Sequence, residues 1–456
     1  MNILLEKVIG TPARLVRKTG WGRSVPRLLI ATRHSPLPGT DGAATYLFDI
    51  VSYLCAKGIH AKVLWLHADG AITHKGYWRI PTQYRGCASI QILGSFRLGN
   101  TLFFPKAIWL PFKAKTLAKI KRGIQLLGGT SLLKHLRPTR RKAEQNHADT
   151  MHGHLTAEAW SSLPNQEEIV FFKSTFDSYR PDFLLLNYCW LLPLLQFVHK
   201  TPNAVLCNDV VSQRLKPSTA SNPDPATPDG EQALLGLAET ILAISAQDGE
   251  IFKSWLPNSK VILVPKAAYI QSRVHVCRKN RIIFVGADNA FNIEGIRWFI
   301  YDVLPLVWAL NPEAELHVFG SVSKSISDIS SERIVPHGRV EDLAQEYSKA
   351  LLTIVPLKHG SGVKIKLVEA AAHGTPIVST SVGMQGLSFL TGHVSVANTP
   401  EDFAEAICEL LDDEEAAFQK GLALQKKVAH TLSPDAAYGE LYTHVMAPFP
   451  KHGNPS

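Results

Sequence analysis

Apolar positions along this chain fall in two alternating rhythms. Short continuous runs, among them residues 27–32 and 61–67, read as buried parallel strands. Strands covered on both faces lose the usual alternation of apolar and polar side chains. Between these two runs, Ala44, Leu47, Phe48, Val51, Leu54 and Cys55 recur at helical spacing and stop at Gly58, a C-terminal cap signal. Strand, turn-rich loop, helix and strand make one βαβ unit. Further short strands read at 182–186, 205–207, 241–244 and 261–264, while the Pro-, Ser- and Asp-rich stretch 216–229 reads as a loop.

From residue 281 the rhythm starts again. Strands are expected at 281–286, 315–320, 351–356 and 376–380, and helices at 293–310, 341–350 and 363–373. Thr399-Pro400-Glu401-Asp402 is a complete helix start, with a capping hydroxyl, proline in the first turn and two acids on the positive end of the dipole. Two consecutive runs of alternating strand and helix predict an α/β chain of two doubly wound, Rossmann-like domains. The expected division is a basic tail at 1–24, a first domain at 25–270 and a second at 271–430. A last helical segment at 431–456 is expected to cross back to the first domain.

Charge changes this picture in one region. The 456 residues carry a formal +9, yet from Gly70 to Ala143 there are 15 Lys or Arg and no acid, so the rest of the chain is net negative. That asymmetry suggests a face that meets an anionic partner. Phe103, Phe104, Trp109 and Phe112 lie among the lysines, a pattern that fits docking on an anionic membrane surface better than nucleic-acid binding, for which no module accompanies it. The most apolar window, 183–198, is shorter than the roughly 20 residues of a spanning helix. Six scattered cysteines without a C-x-x-C pair read as reduced thiols. No secretory signal is read at the N-terminus, so the expected location is cytoplasmic, peripheral at the inner membrane face. His147, His152 and His154 have no matching cysteine or carboxylate cluster, so no metal site is expected there.

Doubly wound sheets bind ligands beyond the carboxyl ends of their strands. Two loops at such ends carry the candidate chemistry. Pro38-Gly-Thr-Asp-Gly42 precedes a helix, where Gly42 would let backbone N–H groups approach an anion. Gly360-Ser361-Gly362-Val363 opens a second helix, with Lys364 and Lys366 expected in its first turn and Glu369 beyond. Cations oppose the dipole there, a placement that makes sense around a bound anion. Asn208-Asp209 ends an apolar strand of the first domain; Asp209 is a candidate for a catalytic or acceptor-orienting role, with capping of the next turn as its other reading.

The run from Gly360 to Val378, G-S-G-V-K-I-K-L-V-E-A-A-A-H-G-T-P-I-V, resembles the donor-binding signature of glycosyltransferase family 4, the group 1 retaining enzymes of the GT-B fold. The runs I-V-P-H-G-R-V-E-D-L from Ile334 and L-L-T-I-V-P-L from Leu351 look like the same family's preceding elements, and the close resemblance covers about 281–410. It implies two Rossmann-like domains facing a central cleft. It also implies sugar transfer from a nucleotide-sugar donor to a glycan, lipid-linked or small-molecule acceptor. The Gly360–Lys366 loop would bind the diphosphate and Glu369 the nucleoside side. Backbone N–H groups with Lys364 and Lys366 would stabilise the departing charge without a metal or other cofactor. Two departures stand out. Ser361 occupies the position eight residues before Glu369 where many members carry another Glu, so sugar specificity is not carried over. The loop 287–292 holds no basic side chain where the family has an Arg/Lys pair, and Lys364 and Lys366 are expected to supply that charge. Two other readings of the same residues are a nucleotide-sugar epimerase of this fold and a catalytically silent nucleotide- or sugar-binding protein.

Overall fold

The computed structural model describes residues 25–36, 42–67, 77–80, 84, 88–104, 161–215, 223–271, 280–329, 331–340, 342–360 and 362–447. The basic tail, most of the stretch 70–143 and the three histidines at 147–154 lie outside them.

Among the described residues, ten strands belong to the first lobe: β1 (Arg27–Thr32), β2 (His60–Trp65), β3 (Tyr77–Arg79), β4 (Ala88–Ile92), β5 (Phe96–Leu98), β6 (Thr101–Phe103), β7 (Phe183–Asn187), β8 (Asn203–Cys207), β9 (Thr240–Ala243) and β10 (Lys260–Leu263). Seven of them pair in parallel in the order β10-β9-β8-β7-β1-β2-β4. The apolar runs have the cause read from the sequence. Leu28 and Ile30 of β1 enter one core with helix α1 (Gly42–Ala56), while Leu29 and Ala31 enter another core on the opposite face. A strand with core on both sides has no face left for polar residues.

The second lobe holds β11 (Arg281–Val285), β12 (Glu315–Phe319), β13 (Ile334–Gly338), β14 (Leu352–Val355), β15 (Ile377–Ser379) and β16 (Ser395–Val396), all parallel, in the order β13-β12-β11-β14-β15-β16. Its strands too are split between two cores, Ile282 and Phe284 facing one and Ile283 the other. The expected class, α/β with two doubly wound lobes, is the one observed.

Two local expectations need correction. The helix read at 293–310 is a run from Ala290 to Leu310 interrupted by a π turn at Phe299–Val303. Pro305 cannot donate to a carbonyl one turn back, and the wider turn lies just before it. The stretch read as loop to residue 229 ends earlier, because Thr227 caps a helix at Pro228–Leu235 through the N–H of Gly230. Apart from the parallel sheet, β3, β6 and β5 form a small antiparallel one.

The last helix, Pro434–Met446, lies on the first lobe. Ala437, Tyr438, Leu441 and Val445 join the core that contains α1. The Tyr438 phenol oxygen accepts the Ala267 N–H at 3.0 Å, and the Tyr53 hydroxyl donates to Asp435 at 2.8 Å. The last helix is thereby pinned to the start of the segment that follows β10 and links the lobes.

Candidate functional site

A cavity of about 650 Å³ opens between the lobes, at the carboxyl ends of β1, β8, β11, β12, β13 and β14. Each described candidate for donor binding or catalysis, from Gly42 and Asp209 to Glu369, lines it. Ser361 lies outside the described residues.

The glycine loop after β14 is shaped by backbone sterics. Gly360 has φ +123 and Gly362 φ +71, the left-handed region where a side chain is strained. A Cβ on Gly362 would also stand 3.1 Å from the Asn208 carbonyl oxygen and from Asp209 Cβ, so the loop approaches the opposite lobe closely. Gly42 has a similar cause. Its Cβ position faces Ile365 Cδ1 at 3.1 Å, which makes lobe contact its visible role. Val363 and Ile365 pack against the first-lobe core, so the Val363 side chain is apolar packing between lobes.

The helix after this loop, Ile365–Ala372, begins later than expected, with Lys364 at the N-cap and making no side-chain cap bond. Lys364 Nζ instead donates to the Gly362 carbonyl at 2.8 Å and to Gln385 Oε1 at 3.3 Å. Burial lowers its pKa to about 8, against the opposing pull of Asp209 and Asp248. Lys366 Nζ donates to Asn292 Oδ1 at 2.5 Å and sits 4.4 Å from the Phe284 ring centre. Burial, helped by the charge of Lys364, brings Lys366 down to about 7. The loop that lacks a basic residue of its own thus receives one from the facing helix. Glu369 has its pKa raised, first by burial, with Asp49 adding and Lys266 and Lys366 opposing. It also lines a smaller cavity of about 260 Å³ with Asp49, Lys266 and Tyr347.

Asp209 is 6% exposed and ion-paired, Oδ2 to Arg214 Nε at 2.5 Å. Its Oδ1, and both polar side-chain atoms of Asn208, have no hydrogen-bond partner among the described residues. Buried polar atoms without partners are costly in an ordinary interior and acceptable where a ligand arrives. The turn holding Asp209 and Arg214 is fixed from beneath by Glu231, which accepts the N–H groups of Val211 and Ser212, each at 2.8 Å. Burial raises Glu231 to about 7 and the neighbouring Asp248 to about 6.

Sequence reasoning missed Arg214, Glu231 and Tyr188. Arg214 carried a readable signal, a basic residue five positions after Asp209. Tyr188 carried none. Its φ is +75, uncommon for any side chain, and it stacks on Trp190 with ring centres 4.2 Å apart and faces His34 at 5.1 Å. Backbone strain of this kind collects at binding sites. Among the described residues no group of three His, Cys, Asp or Glu is placed to hold a metal ion, and no helix is long and apolar enough to cross a membrane.

Residues 279–413 match the family described as glycosyl transferases, group 1. A protein of Klebsiella pneumoniae described as an uncharacterized 44.6 kDa protein in the cps region is 29% identical over 167 residues, 34% of this chain and 42% of that protein. The chain therefore matches about two fifths of that relative's length. Among solved structures, TarM is similar with a TM-score of 0.62 at 9% identity, covering 92% of this chain and 99% of its own. Sucrose-phosphate synthase from Thermosynechococcus elongatus gives 0.62 at 16%, over 93% and 100%. Anabaena Alr3699/HepE, in complex with UDP and glucose, gives 0.57 at 12%, over 92% and 100%. At such identities the likeness is one of fold, the two-lobed GT-B architecture.

Proposed function

Because residues 279–413 match the group 1 glycosyl transferases, we propose that this chain is a retaining glycosyltransferase that moves a sugar from a nucleotide-sugar donor to a glycan or lipid-linked acceptor. The observation that carries the reading is the placement of Lys364, Lys366 and the Gly360–Gly362 turn in one cleft, opposite Asp209. Fold alone does not give an activity, so the argument rests on this chemistry. The donor diphosphate sits against the glycine turn. As the bond from the anomeric carbon breaks, its electron pair goes to the phosphate oxygen, and the two ammonium groups and nearby backbone N–H groups stabilise that charge. The acceptor hydroxyl oxygen bonds to the anomeric carbon on the face the diphosphate leaves, and its proton passes to the departing phosphate oxygen. Asp209, held by Arg214, presents Oδ1 to a hydroxyl of the sugar or acceptor. Glu369 takes the nucleoside side.

No metal is assigned a part in this scheme, and the acceptor is placed on the cytoplasmic face of a membrane. A solved neighbour described with UDP and glucose, and a relative described as lying in a cps region, support a nucleotide-sugar donor and a polysaccharide product. The test is release of nucleoside diphosphate from UDP-, GDP-, ADP- or dTDP-sugars with and without glycan acceptors. Turnover should require the acceptor and persist in EDTA. Asp209→Asn should lower kcat by about 10²-fold or more, in the range of a positioned acid–base or orienting group. Donor consumption without an acceptor would favour the epimerase, and full turnover by Asp209→Asn would remove that residue from the scheme.

A further inference from the structure

The small antiparallel sheet β3-β6-β5 has its faces the wrong way round for a wet surface. Its inner row, with Trp78 and Leu102, packs toward the first-lobe core, where Trp78 meets Trp65 at 6.2 Å. The outer row is also apolar. Tyr77, Phe103 and Phe96 stand side by side across the three strands, and Phe96 stacks on Phe103 at 5.4 Å. Arg79, Thr101 and Leu98 form the next row of that face. Tyr77 is 54%, Phe96 53% and Leu98 70% exposed. A half-buried antiparallel sheet ordinarily turns polar residues to water, so this face is built to be covered.

Charge says by what. The sheet lies within the acid-free stretch from Gly70 to Ala143, and 11 of its 15 Lys and Arg follow directly after β6, between Pro105 and Ala143. Arg79 on the same face and the exposed Arg97 of β5 set cations beside these rings, as at a bilayer interface, where rings settle at headgroup depth and cations meet anionic lipid. A second copy of this chain would bring the same positive charge and repel it. A residue between β3 and β4 in the chain reaches toward the cleft wall. Tyr84 packs edge-on against Phe48 of α1, and its hydroxyl donates to the carbonyl of Pro36, two residues after His34 of the cavity wall.

We propose that the outer face of this sheet, centred on Tyr77, Phe96 and Leu98, is a docking surface for an anionic lipid bilayer. The docking stands by itself; its purpose, bringing a lipid-linked acceptor to the cleft, rests on the transferase reading. The test is sedimentation of the full chain with vesicles of phosphatidylcholine alone and of phosphatidylcholine with equal parts phosphatidylglycerol. The chain should bind the anionic vesicles only, less at high salt. The combined variant Tyr77→Ser, Phe96→Ser, Leu98→Ser should partition at least about 10-fold more weakly, whereas Leu310→Ser, equally exposed on the other lobe, should behave as the native chain. Phe96→Trp, which keeps the packing, should be quenched by brominated anionic lipid beyond the native chain. Undiminished binding of the triple variant, absence of binding by the native chain, or a native dimer that the triple variant dissociates would each overturn the proposal. Loss of donor binding with vesicle binding intact would instead strike the transferase reading and leave the surface standing.

Discussion

Lys364 and Lys366 are ordinary residues in an unusual medium. Their pKa values of about 8 and about 7 arise chiefly from burial, which disfavours an ammonium. A diphosphate beside them favours the charged forms and raises both values. The sign of the pH dependence follows. Well below pH 7 both lysines are already protonated, and a diphosphate binds without taking up protons. Above pH 8 both must be protonated on binding, so affinity falls as pH rises. Between pH 7 and 9 the dissociation constant for a nucleoside diphosphate should rise by roughly 10–100-fold, with proton uptake visible as a buffer-dependent heat of binding. Lys366→Met should flatten the lower part of that curve. A pH-independent affinity would mean that neither ammonium meets the ligand.

Elements place these residues through backbone contacts that no side chain advertises. The Asn208–Arg214 turn is held by the Glu231 carboxylate, and the glycine turn can meet it only because Gly362 lacks a Cβ. The linker between lobes is fixed in the same manner by the last helix, where Tyr438 accepts the buried N–H of Ala267. Tyr438→Phe removes the acceptor and leaves that donor unpaired, which should cost about 1–3 kcal/mol. The urea midpoint should fall by the corresponding amount while the slope of the transition stays unchanged. An unchanged midpoint would show that the linker finds another acceptor at no cost.

At the scale of the whole molecule, the cleft exists because two parallel sheets point the carboxyl ends of their strands at each other. Contacts that join the lobes, Gly42 to Ile365 and Gly362 to Asp209, border the same cavity as the lysines. A donor held there binds the folded chain and not the unfolded one, so it should stabilise by mass action, by about 2.7 kcal/mol at 100 times its dissociation constant. Thermal unfolding in the presence of UDP-, GDP-, ADP- and dTDP-sugars should therefore show a concentration-dependent rise for one base. Equal response to all four, or to none, would argue against a nucleotide site in this cleft.

The sequence by itself determined the class of fold and the location of the phosphate-type chemistry. Continuous apolar runs separated by helical periodicity admit few arrangements other than buried parallel strands, and the run from Gly360 to Glu369 is local enough to be read as one turn and one helix. Its exact start was misjudged by one or two residues, because helix onset at Ile365 depends on the contacts of Val363 and Lys364 with distant parts of the chain. Tertiary structure alone decided that Lys366 meets Asn292, 74 residues away, and that Glu231 supports the turn bearing Asp209. It alone set the lysine pKa values and turned Tyr77, Phe96 and Leu98 outward together. The physical reason is one of range. Periodicity records which face of an element is apolar, whereas burial, charge coupling and the alignment of three-residue strands depend on neighbours that only the folded chain brings near.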